Sequence, residues 1–150
     1  MQLSKKADYG LRLVLELARE YPNKKLATHE IARRQAVPEP FLAKIAAELS
    51  RLGIVISQRG SGGGLILARP PEEISILEVI ETLDGPLTFT PCHDSPHLCC
   101  WAGQCVIETV LKEARDAMVK HLKQVSFADL IEADRNLRMV SIPTSSESTP

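Results

Sequence analysis

Apolar residues recur at helical spacing in three consecutive stretches at the start of the chain. Ala7, Leu11, Val14, Leu15 and Ala18 share one face, and Ser4 stands where an N-cap belongs, so the pattern predicts a first helix to about Arg19. Tyr21-Pro22-Asn23 ends it. Thr28 can cap a second helix with Ile31 and Ala32 inward and Arg33 and Arg34 outward. Val37-Pro38 is a turn, and Pro40 suits the first turn of a third helix, where a missing N–H costs nothing. That helix carries Phe41, Leu42, Ile45, Ala46, Leu49 and Leu52 toward a core, and Gly53 stops it.

The period then changes. Ile54-Val55-Ile56 and Leu65-Ile66-Leu67 bracket Arg59-Gly60-Ser61-Gly62-Gly63-Gly64, a β-hairpin with a glycine tip. After Arg69-Pro70-Pro71, Ser75 and Glu78 have capping-box spacing ahead of Ile76, Leu77, Val79, Ile80 and Leu83, and Asp84-Gly85-Pro86 closes that helix. Residues 86–104 have no clean period. From about Gln104 to Val125, the residues Ile107, Leu111, Ala114, Met118, His121 and Val125 step alternately by four and three, a heptad-like seam on a long helix. Ser126 to Leu130 adds a short helix, and Ser141 to Pro150 is polar and aperiodic, a flexible tail.

The expected fold is mainly α with a small β-hairpin. A winged helix-turn-helix domain spans 1–85, a cysteine-bearing sensor loop 86–104, a dimerisation helix with a short C-terminal helix 105–132, and a flexible tail 133–150. No apolar run is long enough to span a bilayer and no signal peptide opens the chain, so a cytoplasmic protein with no membrane partner is expected.

The net charge of −1 conceals a division. Residues 1–70 carry 12 basic and 6 acidic residues, a balance of +6, while residues 71–150 carry 6 and 13, a balance of −7. A basic first half facing phosphates and an acidic second half facing elsewhere suits a two-part regulator of double-stranded DNA. The second helix of a helix-turn-helix lays its first turns in the major groove, which exposes Glu39, Pro40, Ala43 and Lys44 there. Lys44 is a base-edge or phosphate candidate; Lys5, Arg34 and Arg51 are phosphate contacts or solvated charges. At the tip Arg59 can reach a minor groove or a backbone, and Ser61, Gly62 and Gly63 let the main chain approach a phosphate.

All four cysteines fall within Cys92–Cys105. Clustered thiols in a reducing compartment bind metal or sense redox state more often than they staple a fold. Four thiols also admit a structural zinc site, and the adjacency of Cys99 and Cys100 admits direct thiol or persulfide sensing without metal. Catalysis is not expected: there is no CxxC motif and no Cys–His pair in a strand-turn-helix.

The run Gly53-Ile54-Val55-Ile56-Ser57-Gln58-Arg59-Gly60, then Gly62 to Ala68 and Pro70, resembles the wing signature of one bacterial regulator family, that of IscR, NsrR, RirA and CymR. Leu3-Ser4, Phe41-Leu42 and Phe127-Ala128-Asp129-Leu130 look like that family too, and the resemblance covers about residues 1–132. It implies a homodimeric winged-helix transcription regulator, not an enzyme, with a long dimerisation helix. It also implies a 2Fe-2S or 4Fe-4S iron–sulfur cluster on three loop cysteines, through which redox, nitric oxide or iron status is sensed. Cys92, Cys99 and Cys105 match that pattern, and Cys100 could replace Cys99. Soft thiolates on a loop suit iron and sulfide. For a fourth ligand the family offers an Asp on the first helix of the partner subunit, and Asp8 stands there; an acid favoured by the helix dipole is the competing reading. His93 and His97 are rival ligands or solvated loop histidines, and Trp101 is a packing residue or a shield. Pro40 and Ala43 replace polar residues that base-reading members use, so the operator sequence does not carry over.

Overall fold

The computed structural model of the protein describes residues 2–90, 99–101 and 103–140. Along the chain run α1 (Lys5–Glu20), α2 (Thr28–Gln35), α3 (Glu39–Arg51), β1 (Val55–Gln58), β2 (Gly64–Leu67), a 3-10 turn at Pro71–Glu73, α4 (Ile76–Asp84), α5 (Val106–Gln124) and α6 (Phe127–Val140). Ser4 caps α1 as expected, its Oγ accepting from the Ala7 N–H at 3.0 Å. Ser4 also donates through its N–H, at 3.0 Å, and through its hydroxyl to Asp84, which ties the start of α1 to the end of α4. Helix α2 begins one residue earlier than a Thr28 cap would give: Ala27 is the N-cap and no side chain caps it.

Helices α1 to α3 and the hairpin share one core. Leu13, Val14, Leu42, Ile45 and Leu49 are all at or below about 1% exposure, and Ile54, Val55, Leu65 and Leu67 close the layer from the hairpin. Gly10 is required where α1 crosses α4, because a Cβ there would lie 2.1 Å from a Leu83 methyl. The strands pair antiparallel, Val55 opposite Leu67 through Gln58 opposite Gly64. A third edge joins them: Leu26 and Leu65 exchange N–H to carbonyl bonds of 3.1 and 2.8 Å. The segment before α2 is thereby stitched to the wing, a contact that periodicity does not signal.

The C-terminal helix differs from its expected form. In place of a short helix and a flexible stretch from 133, α6 runs to Val140. Phe127 is fully buried in the core shared with α1, and its N–H bonds the Ile74 carbonyl at 3.0 Å. Burial of one such side chain stabilises by roughly 1.5–3 kcal/mol, enough to hold a helix whose later residues are exposed. Asp129 caps it, accepting from the Ser126 N–H at 2.8 Å and hydroxyl at 2.7 Å; these bonds, the hydroxyl first, hold its carboxyl below the ordinary range.

Helix α5 has no buried residue. Met118, Val119 and Leu122 lean on Leu77, Ile80 and Leu87, so one side is covered by α4 and the chain after it. The other side is apolar and open: Val106 is 79% exposed, Ile107 67% and Val110 63%. The expected seam therefore divides. Met118 turns inward, while Ile107, Ala114 and His121 stay exposed, and the outward stripe is Ile107, Val110, Ala114, Ala117 and His121. The pattern was ambiguous because α5 has two apolar faces, and one heptad count ran across both.

Candidate nucleic-acid interface and thiol loop

Ala36, left-handed at φ 52°, closes α2, and Val37 is buried beneath the turn that launches α3. Helix α3 then sorts its residues by face. Leu42, Ile45, Ala46 and Leu49 point to the core, while Pro40, Ala43, Lys44, Ala47 and Arg51 are exposed on the opposite side. Phe41 departs from expectation: it is 53% exposed and meets the Tyr9 ring edge-on at 6.2 Å instead of entering the core. A position at the first turn lies above the core layer, so an aromatic there covers its rim. Ala47 was overlooked, though it lies one turn beyond Ala43 and belongs to the same face.

Lys5, Lys44, Arg51 and Arg59 are exposed and form no ion pair with the described residues. Arg34 is different. Its guanidinium bonds Glu16 and Glu20, each at 3.2 Å, and also Glu30. Those carboxylates, Glu20 first, hold it more firmly protonated than usual. Glu16 is 3% exposed, and Arg19 and Gln35 also donate to it, the latter at 2.7 Å. Arg19 continues to Asp134 on α6 at 3.0 Å. Burial works against that carboxylate, but Arg19 and Arg138 together hold its pKa below the ordinary range. Arg34 is therefore part of a network of ion pairs joining α1, α2 and α6, which its outward position on α2 does not signal. The missed signal was the run of acids at helical spacing, Glu16 and Glu20, facing it.

At the wing tip Gly60 and Gly62 take φ of 103° and 79°, and the Gly63 N–H bonds the Gly60 carbonyl at 2.9 Å. A Cβ on Gly63 would sit 2.4 Å from the Gln58 carbonyl oxygen, and one on Gly64 2.8 Å from that of Leu26. These two glycines serve close approach of the chain to itself; Arg59, Ser61 and Gly62 remain as the exposed tip. The base of the wing is held by Arg69, which donates to the Gly53 carbonyl at 3.2 Å, the Glu73 carbonyl at 3.1 Å and the Glu78 carboxylate. The Ser75–Glu78 capping box is thus formed on one side: Ser75 Oγ accepts from the Glu78 N–H at 3.2 Å, while the Glu78 side chain serves the wing.

Cys99 and Cys105 are half-buried, Cys100 is exposed, and all three are free thiols. Cys105 is the N-cap of α5. Cys92, His93 and His97 lie outside the described residues, among which no group of three metal-type donors converges. Trp101 is 64% exposed. Asp8, in the first turn of α1, pairs with Arg12 of the same helix at 3.1 Å, one turn away.

The family described as iron-dependent transcriptional regulators, Rrf2, matches residues 3–133. The HTH-type transcriptional regulator NsrR of Shouchella clausii is 33% identical over 139 residues, 92% of this chain and 93% of that protein. Among solved structures, CymR, the global cysteine regulator of B. subtilis, superposes with a TM-score of 0.77 at 25% identity, covering 89% of this chain and 98% of its own. IscR of T. potens gives 0.74 at 26%, covering 97% and 94%. These relatives are transcriptional regulators and not enzymes, their fold is this winged helix with its two-stranded hairpin, and no described helix is long and apolar enough to cross a membrane. The chain belongs to the Rrf2 family of winged-helix transcriptional regulators.

Proposed function

We propose that the protein is a homodimeric operator-binding regulator whose grip on DNA is tuned by an iron–sulfur cluster on Cys92, Cys99 and Cys105. Helix α3 enters the major groove, Lys44 and Arg51 meet bases and phosphates, Arg59 follows the flanking backbone, and Lys5 adds a phosphate contact at the start of α1. The outward stripe of α5 joins the two copies, because an apolar strip of this length on a water-soluble regulator calls for a covering surface. Arg34 is left out of the interface, being committed to Glu16, Glu20 and Glu30.

The observation that carries this reading is the position of the thiols. Cys105 caps the helix that bears the open stripe, α5 leans on α4, and α4 packs on both α1 and α3. A change at the loop thus acts at once on the seam between copies and on the element beneath the recognition helix. The donor set suits the group in its chemistry: Cys99 and Cys105 are free thiols, and Cys105 stands at the N-terminal end of α5, where the helix dipole favours a cluster's negative charge. A bound cluster supplies a centre reactive toward oxidants and nitric oxide. To regulate, it must bind two arrangements of the protein with different free energies. Asp8 of the partner copy as fourth ligand requires that its pair with Arg12 open.

Metal-free thiol sensing is the second reading. The exposed Cys100 beside Cys99, and the likeness to a cysteine regulator, favour it. Anaerobic purification separates the two: a coloured protein with stoichiometric iron and acid-labile sulfide, lost on substitution of Cys92, Cys99 or Cys105 by Ala, supports the cluster. Colourless, iron-free protein that still answers oxidants supports the thiols.

A further inference from the structure

The exposed face of α3 combines Pro40, Ala43 and Ala47 with two cations, Lys44 and Arg51. Pro40, Ala43 and Ala47 carry no side-chain hydrogen-bonding group, so the only donor over the first two turns of that face is Lys44. Two carboxylates lie nearby: Glu39, exposed at the very start of the helix, and Glu48 on the next strip, which is held by Lys6 at 3.1 Å. The backbone is equally occupied at the start of the helix. Pro40 has no N–H, and the N–H groups of Phe41 and Leu42 bond the Pro38 carbonyl at 3.0 and 3.3 Å.

A helix read out by hydrogen bonds presents Arg, Asn or Gln to purine edges; an apolar one has a single major-groove partner, the C5 methyl of thymine. We propose that this regulator recognises its operator chiefly through thymine methyl groups packed against Ala43, Ala47 and Pro40, with Lys44 marking a neighbouring guanine. The small side chains suit this role, since they let the helix axis come close enough for methyl–methyl contact. Phe41, propped on Tyr9 at the rim, offers a broader apolar surface for a methyl at the edge of the half-site. The inference rests on the operator-binding reading above and names the chemistry of that contact.

The test starts with enrichment of bound duplexes from a randomised pool by the full-length protein, purified anaerobically. Each thymine of the enriched site is then replaced by deoxyuridine, which removes only the methyl group. Loss of one buried methyl weakens binding by about three- to fivefold at each contacted thymine. At least two such positions are expected in each half-site, and at one of them Ala43→Gly removes the penalty. An enriched site whose affinity is unchanged by every uracil overturns this proposal and leaves operator binding standing. A pool that yields no enriched sequence overturns operator recognition itself.

Discussion

Helices α3 and α5 are both amphipathic, yet their second faces have opposite character. Helix α3 buries Leu42, Ile45 and Leu49 and shows solvent the small residues Pro40, Ala43 and Ala47 beside Lys44 and Arg51. Helix α5 buries nothing fully and shows solvent Val106, Ile107 and Val110. A surface that fits a charged groove has to be slim and cationic; one that fits a second apolar helix has to be broad and uncharged. The same chain thus carries one face suited to nucleic acid and one suited to protein, on helices bridged by α4.

A charge in the middle of the open stripe gives the largest effect. Val110→Asp should leave the isolated fold intact, since Val110 is 63% exposed, but part the two copies. Light scattering should report a monomer, and operator affinity should fall by about a hundredfold or more as the two half-sites cease to be linked. A variant that stays dimeric would show that α5 is not the seam.

On α3 the two faces should separate stability from binding. Ile45→Ala should destabilise by about 2–5 kcal/mol in a denaturant melt, whereas Ala43→Gly should cost roughly 1 kcal/mol or less, as a helix-propensity change alone. Equal costs would show that the face assignment is wrong. Smaller still is the wing: Arg59→Ala should weaken all duplexes similarly and lower the slope of log affinity against log salt by about 1. Arg34→Ala, by contrast, should lower stability by leaving the buried Glu16 short of a partner, and leave that slope unchanged.

The smallest effect is at the cap of α6. The Asp129 carboxyl is depressed in the folded state, so its contribution is complete above the ordinary carboxylate pKa and is lost as pH falls through the folded value. Asp129→Asn should lower stability by the same small amount throughout pH 6 to 8 and flatten the acid limb, so that the variant and the parent chain converge below the folded pKa; a difference that persists undiminished in acid would contradict this.

Much of the winged half was legible in the sequence because local signals agreed. Ser4, Pro40, Gly53 and the glycine tip each did locally what their chemistry allows, and helical spacing identified Leu42, Ile45 and Leu49. What stayed hidden was set by tertiary contacts. Leu26 joins the hairpin, Arg34 is claimed by acids from another helix, and Glu78 leaves its cap for Arg69. The heptad count along α5 spans two nearly adjacent apolar faces, and only packing against Leu77 and Ile80 distinguishes them. The thiols were legible as a cluster of residue types, but the structure adds that Cys105 is the N-cap of the stripe-bearing helix.

The central claim is that the state of the Cys92–Cys105 segment sets how tightly α3 and the wing hold an operator. Titration of one enriched duplex with anaerobically purified protein, before and after iron removal by a chelator, tests it directly. The account predicts binding curves displaced by about fivefold or more, with the dimer preserved in both states. Superimposable curves from protein shown to have carried and then lost its iron would contradict it.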